Sequence, residues 1–325
     1  MRIDDALARA AGFLRERQRA DGSFTDFNVF STPGTEWITG AVGLGFGAHA
    51  APREETVLRT AADFLVRGHR APGGWGFNGV APVDADSTAT CLRFLLGTPS
   101  PPGRGMLEAS WTCLRSFQDP QGGGFATYHA SNRRIPKGSG YARPSPCVTA
   151  NAALALALSS ASEDVVAAER AVANLLVEQE PSGAWRSFWW AGLILPTCMV
   201  LTALHMLGRG QAAVERALGW LVDARQPDGS WGDPFSTGLA VGALACAGKA
   251  RERSAAEQGC RWLLDEQSED GGWAAERLMR VPARMCVKRW EPGDPEPHVA
   301  ALERVFTTAA LLGALAAYRR RWSTG

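Results

Sequence analysis

The chain has 325 residues, of which 46% are hydrophobic and 21% are charged, a composition typical of a globular protein with one large domain or two small ones. Its 34 basic and 33 acidic side chains leave a formal net charge of +1, and this balance, without a basic run, argues against a general nucleic-acid binder, which needs a clustered positive surface. The acidic, amphipathic N-terminus is unlike a signal peptide and no apolar stretch reaches the roughly 20 residues that cross a bilayer, so a cytoplasmic protein without a transmembrane segment is expected.

A short pattern recurs along the whole chain: a glutamine, a glycine-containing turn and an aromatic residue. The aromatic residues stand at positions 24, 75, 125, 185, 231 and 273, and the second copy lacks the glutamine. An amphipathic helix with one charged face precedes each turn, with predicted bounds 4–18, 54–67, 106–118, 163–179, 212–226 and 254–267. A helix of small and apolar residues follows each turn, with predicted bounds 36–44, 86–95, 148–158, 197–207, 237–247 and 306–318.

The alternation of these two helix types predicts an all-α protein. A helix that is apolar on every side must be buried on every side, so six inner helices are expected inside six amphipathic ones, in an α6/α6 barrel that residues 1–325 form as a single domain. The near absence of period-two stretches argues against a β-rich fold. All turns that follow outer helices then lie at one end of the barrel, where a pocket is expected. The glutamines and aromatic rings of the turns are predicted to be structural.

Two aspartates, Asp84 and Asp86, stand at the start of the second inner helix. One interpretation is capping, in which Asp84 accepts a backbone hydrogen bond and Asp86 interacts with the positive end of the helix dipole. The other is acid catalysis, since burial and a neighbouring carboxylate both raise the pKa of an aspartate and keep it protonated near neutral pH. Such an acid suits an electron-rich double bond, because aromatic faces stabilise the carbocation that protonation forms.

Several aromatic rings stand at or just before the predicted starts of inner helices. Each could line the cavity, and each could equally be a core residue. These candidates for the lining are Trp37, Phe188, Trp189, Trp190 and Phe306.

These motifs resemble those of a known enzyme family. The turns are similar to the QW repeats of squalene-hopene cyclases and class II terpene cyclases, and segment 84–89 is similar to their Asp-x-Asp-Asp-Thr-Ala acid motif and to the Asp-x-Asp-Thr-Thr variant of drimane-type sesquiterpene cyclases. Segments 35–39, 145–151 and 186–190 extend the resemblance over essentially the whole chain.

The resemblance implies roles for three residues. It implies that Asp86 delivers a proton and that Asp84 supports it. Ser87 stands where the family has a third aspartate, and a hydroxyl cannot add the like charge that helps keep a proton on Asp86. A weaker or differently tuned acid is therefore expected.

The same resemblance implies a protonation-initiated cyclase of a linear isoprenoid, farnesyl or geranylgeranyl diphosphate, that leaves the diphosphate intact. Basic residues of two loops that follow turns are the candidates for binding it: Arg133, Arg134, Lys288 and Arg289. No tightly bound cofactor is expected; Mg²⁺ could accompany the diphosphate, but no carboxylate cluster suits a metal site of the protein's own. A lone barrel covers its mouth with loops, with a second copy in a homodimer or with another partner, or leaves it open.

Two other functions remain compatible with this barrel. One is a non-catalytic barrel that binds an isoprenoid or another protein. In the sequence, Asp86 alone distinguishes the cyclase from such a barrel. A zinc-dependent prenyltransferase-like subunit would use Asp, Cys and His ligands, and Cys147, Cys198 and His298 stand near inner-helix starts. No Asp-x-Cys pair stands there, which disfavours zinc. The seven cysteines form no Cys-x-x-Cys pair and are expected to be buried thiols in a reducing compartment.

Overall fold

Twelve α-helices alternate between two concentric layers in the computed structural model, which describes residues 2–29, 32–49, 54–295 and 297–322. The outer layer consists of α1 (Ile3–Glu16), α3 (Glu55–Gly68), α5 (Arg104–Arg115), α7 (Ser162–Val177), α9 (Gln211–Asp223) and α11 (Ala250–Asp265). The inner layer consists of α2 (Glu36–His49), α4 (Ala85–Leu96), α6 (Pro146–Leu156), α8 (Ile194–Met206), α10 (Pro234–Leu244) and α12 (Val305–Trp322).

The inner helices form a closed ring. Each packs against the next along the chain, and α12 packs against α2, which closes the ring. The outer helices cover it: α3, α5, α7, α9 and α11 pack on the inner helices that precede them, and α1 packs on α12. The predicted all-α fold, an α6/α6 barrel, is confirmed.

Burial differs between the layers as the two sequence patterns predict. In α1 the buried side chains recur at three- and four-residue spacing, as at Leu7, Ala10, Ala11 and Leu14, so one face lies against the inner ring. In α6, by contrast, every residue but one is buried. Among the described residues, no helix is both long and apolar enough to cross a membrane.

The glycine of each turn adopts a backbone conformation that other residues rarely adopt and packs closely against the next outer helix. Gly123 has φ 75° and Gly271 has φ 91°. A Cβ atom on Gly123 would lie 2.6 Å from the carbonyl oxygen of Arg170, and one on Gly271 would lie 2.4 Å from that of Arg9. Because Arg9 belongs to α1, the last turn joins the end of the barrel to its beginning.

The glutamine of the last turn makes a second connection of the same kind. Gln267 Nε2 donates to the carbonyl oxygen of Gly271 at 2.8 Å and to that of Ala6, in α1, at 3.0 Å. The glutamines of three other turns make the equivalent pair of bonds to their own glycine and to the following outer helix. Each amide therefore satisfies two backbone carbonyls and fixes neighbouring repeats to each other.

The indole rings and the inner helices are joined in a similar way. The Nε1 of each turn tryptophan donates to a carbonyl ten residues earlier, in its outer helix, as Trp185 does to Leu175 at 2.8 Å. The backbone N–H of all six turn aromatic residues donates to a threonine hydroxyl of the following inner helix, as that of Trp185 does to Thr197 at 3.0 Å. These bonds fix where each inner helix begins.

The sequence pattern does not predict two short strand pairs. Strands β1 (Asp26–Val29) and β2 (Thr32–Gly34) pair antiparallel before α2, and β3 (Met279–Arg280) and β4 (His298–Val299) pair antiparallel in the insertion before α12. Strands of two to four residues are too short to carry a recognisable period-two pattern. Residue 296 of this insertion lies outside the described residues.

Candidate active site

A cavity of about 780 Å³ lies at the end of the barrel where the inner helices begin, as expected. The second residue of every inner helix lines it, and these residues form an upper ring: Trp37, Asp86, Cys147, Leu195, Phe235 and Phe306. The residues four positions further on form a lower ring: Ala41, Thr90, Asn151, Met199, Leu239 and Ala310. The spacing of four follows from the helical repeat, which returns a side chain to the same face after about one turn.

An aromatic wall forms much of the cavity surface. Trp37 stacks on Phe306 with ring centroids 4.7 Å apart, and Trp190 stacks on Phe306 at 5.9 Å. Phe77 and Phe235, which the sequence analysis does not single out, extend this wall. Because the faces of these rings carry negative quadrupole charge, the wall favours a positively charged intermediate over a neutral one.

Trp189 and Phe188 have different positions although they are adjacent in sequence. Trp189 lines the cavity, and its Nε1 donates to the Thr127 hydroxyl at 2.6 Å. Phe188 is not among the lining residues: it is buried against Tyr141 and Trp189, and the Arg280 guanidinium lies 5.8 Å from its ring centre. Phe188 is therefore a core residue, and the prediction that it lines the cavity is wrong.

Asp84 is the N-cap of α4 and is buried. Its Oδ1 accepts a hydrogen bond from the Ser87 backbone N–H at 2.8 Å, and its Oδ2 accepts one from the Ser87 hydroxyl at 2.8 Å. Burial raises the pKa of Asp84 to about 7; the negative charges of Asp86 and Glu36 add to this, and the bonds from Ser87 oppose it. Asp84 therefore caps α4, as one of the two interpretations of the sequence predicts. Ser87 donates its hydrogen bonds to Asp84.

Asp86 is half-buried and faces the cavity. Its Oδ1 accepts a hydrogen bond from Asn151 Nδ2 at 2.8 Å. Burial raises the pKa of Asp86, while the bond from Asn151, the indole of Trp37 and the charge of Arg93 lower it. The structure therefore places a carboxyl group with a raised pKa beside the aromatic wall, where it could transfer a proton to a bound olefin.

Asn151 and Arg93 are candidate functional residues that the sequence analysis does not name. Arg93 Nη1 donates to Asn151 Oδ1 at 2.6 Å, and Asn151 Nδ2 donates to the Thr90 hydroxyl at 2.8 Å. Asp86, Thr90 and Arg93 occupy positions i, i+4 and i+7 of α4, which share one helix face. Polar residues on otherwise apolar inner helices, Thr90 and Arg93 on α4 and Asn151 on α6, are the signal that could have identified them.

The four basic residues predicted to bind a head group are not all at the cavity. Arg134 lines it, and its Nη1 donates to the Val80 carbonyl at 3.1 Å. Arg133 and Lys288 are exposed and are not among the lining residues, and Arg289 forms an ion pair with a glutamate at the end of α7. The structure therefore brings one of the four to the cavity.

Arg284 lines the cavity beside Arg134, although the sequence analysis does not list it as a site residue. Its Nη2 donates to the backbone carbonyl of Arg134 at 3.4 Å. The loops that carry these two arginines also meet elsewhere: the Gly140 N–H donates to the Cys286 carbonyl at 2.7 Å, and Tyr141 Oη donates to the Pro282 carbonyl at 2.6 Å. Two loops distant in sequence thus share one side of the mouth.

The part of the chain that the structure describes contains no group of three or more His, Cys, Asp or Glu side chains arranged to hold a metal ion. Cys147, one of the residues considered for zinc, instead lies beside the hydroxyls of Ser187 at 3.2 Å and Ser145 at 3.3 Å. Burial raises the pKa of its thiol, so this cysteine is protonated at neutral pH.

The family model of the squalene-hopene cyclase C-terminal domain matches residues 108–237. No curated protein matches the chain. Among solved structures, the type II terpene cyclase MstE from Scytonema in its apo form is similar, with 24% identity, a TM-score of 0.85 and coverage of 97% of both chains.

This chain has the fold of the type II terpene cyclases. A variant of MstE in complex with its substrate, geranylgeranyl dihydroxybenzoate, matches with 23% identity and a TM-score of 0.86, over 98% of this chain and 97% of that one. A protein from Actinoplanes matches with 25% identity and a TM-score of 0.86, over 98% of this chain and 99% of its own. The resemblance predicted from the turns and the acid motif is confirmed.

Proposed function

We propose that the chain is a class II terpene cyclase in which Asp86 protonates a linear isoprenoid. The observation that carries this proposal is the place of Asp86 in the upper ring. Tryptophan, cysteine, leucine and phenylalanine occupy the five equivalent positions, so a single carboxyl group faces the substrate space within that ring. Burying a carboxylate at such a position costs free energy that an apolar residue does not cost, and the dipole of α4 offsets only part of this cost.

The reaction would begin when Asp86 transfers its proton to the terminal double bond, or to an epoxide, of the bound chain. For an olefin, the π electrons form the new C–H bond, and a tertiary carbocation remains on the adjacent carbon. Further double bonds then attack this centre in turn and close rings, while the wall of Trp37, Trp190 and Phe306 stabilises the positive charge. Loss of a proton ends the sequence. Asp84 and Ser87 would support the step by fixing the start of α4.

The head group of the substrate would lie at the rim, where Arg134 and Arg284 line the cavity. Farnesyl or geranylgeranyl diphosphate, with the diphosphate retained, fits these two cations, and Mg²⁺ would then accompany the diphosphate. We propose that the barrel is a single domain and that the enzyme is cytoplasmic. The two contacting loops would cover part of the mouth. A second copy of the chain or another partner could cover the rest.

A second substrate class is favoured by the aromatic residues on the same side of the mouth. Tyr128, Tyr141 and Trp189 line the cavity near the two arginines, and they would pack against an aromatic ring that carries a carboxylate. The similar enzyme MstE is described with such a substrate, geranylgeranyl dihydroxybenzoate. A carboxylate needs no metal, so the two classes differ in their dependence on Mg²⁺.

The test is to incubate the protein with farnesyl diphosphate, geranylgeranyl diphosphate and geranylgeranyl dihydroxybenzoate, each with Mg²⁺ and with EDTA. Products are analysed by mass spectrometry, after phosphatase treatment for the diphosphates. A cyclised isomer of the substrate, or of the prenyl alcohol that phosphatase releases from a diphosphate, supports the cyclase. Binding of these isoprenoids without turnover by the wild-type chain would instead indicate the non-catalytic barrel.

A further inference from the structure

Arg93 is a cation inside the barrel, two helical turns below Asp86 on the same face of α4. Its side chain is half-buried and lines the cavity. Burial lowers the pKa of Arg93 to about 10, so it remains protonated at neutral pH. Its hydrogen bond goes to an amide, Asn151 Oδ1 at 2.6 Å. A charged side chain in a cavity for hydrocarbon costs free energy, which makes its position informative.

The arginine determines which way the Asn151 amide points. A guanidinium has only donors, so it binds the amide oxygen, and the amide nitrogen then faces Asp86 and Thr90. Asn151 Nδ2 lies 2.8 Å from Asp86 Oδ1 and 2.8 Å from Thr90 Oγ1. Because an amide nitrogen can only donate, Asp86 Oδ1 must accept. The proton of the neutral acid is thereby assigned to Asp86 Oδ2.

We propose that Arg93 is a positioning residue for the acid: through Asn151 it selects the oxygen of Asp86 that carries the proton, and its charge stabilises the carboxylate that remains after proton transfer. The second half of this inference rests on the proposed function. In that step the O–H bond of Asp86 breaks, a C–H bond forms from the olefin π pair, and Asp86 becomes negative. The charge of Arg93 makes Asp86 a stronger acid than its apolar surroundings alone would.

Other charged and titratable groups around Asp86 do not replace this cation. Asp84 on α4 and Glu36 on α2 are acidic, and Glu36 is bound by Arg70 at 2.6 Å. Cys147 on α6 and Tyr128 in the preceding loop are uncharged at neutral pH, because burial raises the pKa of both groups. Helices α8, α10 and α12 contribute apolar side chains to the two rings. The other cations that line the cavity are Arg134, Arg280 and Arg284.

Kinetics of three variants against pH test the proposal. Arg93→Met should lower kcat about tenfold or more, because a weaker acid transfers its proton more slowly. It should also move the alkaline limb of the kcat profile to higher pH by about 1 pH unit or more, because removing a positive charge raises the pKa of Asp86. Arg93→Lys keeps the charge and should leave the alkaline limb in place. Arg104→Met, in an exposed helical ion pair on α5, is the control and should match the wild type.

An infrared titration of the Asp86 carboxyl, assigned with Asp86→Asn, gives a readout that needs no turnover. Arg93→Met should move this titration to higher pH than in the wild type. If neither the alkaline limb nor the infrared titration moves, the proposal is overturned. If the infrared titration moves but the wild-type chain cyclises none of the three substrates, the proposed function fails while the effect of Arg93 on Asp86 stands.

A second variant covers the case in which Arg93→Met does not fold, as judged by circular dichroism. Asn151→Leu removes the link between the two side chains and keeps both Asp86 and Arg93, although the guanidinium then loses its hydrogen bond to the amide. It should move the Asp86 titration in the same direction, because the bond from Asn151 also lowers the pKa of Asp86. An unchanged titration in Asn151→Leu would overturn the proposal.

Discussion

Asp84 and Asp86 are two residues apart but have different surroundings. Both line the cavity, but Asp84 is 3% exposed and bound by Ser87, whereas Asp86 is half-buried and bound by Asn151. At the end of a helix, one residue can cap while a residue two positions later faces another direction. Two carboxyl groups with raised pKa values in one segment can therefore have separate roles.

The buried Asp84 predicts a pH dependence of stability. Its pKa is about 7 in the folded chain and near the ordinary aspartate value of 3.8 in the unfolded one, so between these values the folded state binds more protons. The free energy of unfolding should therefore fall as pH rises from about 4 to 7, by an amount on the order of 4 kcal/mol. Asp84→Asn, which still caps the helix, should show a flatter dependence in urea unfolding. Equal slopes for both chains would contradict this account of Asp84.

At the rim, the position of Arg134 and Arg284 predicts their effect on substrate binding. The double substitution Arg134→Met and Arg284→Met should raise KM about tenfold or more for an anionic isoprenoid and leave kcat nearly unchanged, because charges that bind the head group would stabilise the bound substrate and the transition state equally. Arg133→Met removes an exposed neighbouring charge outside the lining and is the control. Steady-state kinetics measure KM for the double variant and for Arg133→Met. Equal KM values for the two would mean that the head group binds elsewhere.

At the scale of elements, the six turns share a glycine with positive φ and a bond from the aromatic residue to a threonine hydroxyl. In four of them the glutamine adds two bonds, one of which goes to the next outer helix. The turn at 267–273 differs in one respect, since its neighbour is α1. It therefore holds the first and last repeats together, and its loss should affect the whole barrel.

Gly271→Ala should destabilise the chain by about 2 kcal/mol or more, because it strains the backbone at φ 91° and places Cβ 2.4 Å from the Arg9 carbonyl oxygen. Gly105→Ala is the matched control: Gly105 lies in α5 with open space around it, so alanine there should stabilise the helix by up to about 1 kcal/mol. Urea unfolding measures both. A Gly271→Ala chain as stable as the wild type would show that this contact does not close the barrel.

The helices could be predicted from the sequence because the outer helices are apolar on one face and the inner helices are apolar on every side. The predicted bounds differ from the observed ones by several residues. Helix α2 continues to His49, past the predicted end at 44, and α11 begins at Ala250, before the predicted start at 254. The upper ring could also have been found by aligning the six inner-helix starts, since Asp86 shares its register with Trp37 and Phe306. The positions of Arg284 and Phe188 could not, because neither loop repeats and only the folded barrel places them.

At the scale of the whole molecule, the barrel provides an aromatic cavity with an acid in its upper ring and two cations at its rim. Asp86 and the rim arginines belong to elements far apart in sequence, and the closed ring of helices brings them together. In the proposed function, Asp86 would transfer the proton and the rim arginines would bind the head group, which would stay intact. The two loops that carry Arg134 and Arg284 contact each other at the mouth, where both arginines line the cavity.

Turnover in D₂O tests the central claim most directly, with the substrate that gives a product in H₂O. The carboxyl proton of Asp86 exchanges with solvent, so each molecule cyclised from a terminal olefin should contain one deuterium, on the ring methylene carbon that forms from the protonated olefinic CH. Asp86→Asn should form product at least about 100-fold more slowly. A product without deuterium, or an Asp86→Asn chain with full turnover, would contradict the account.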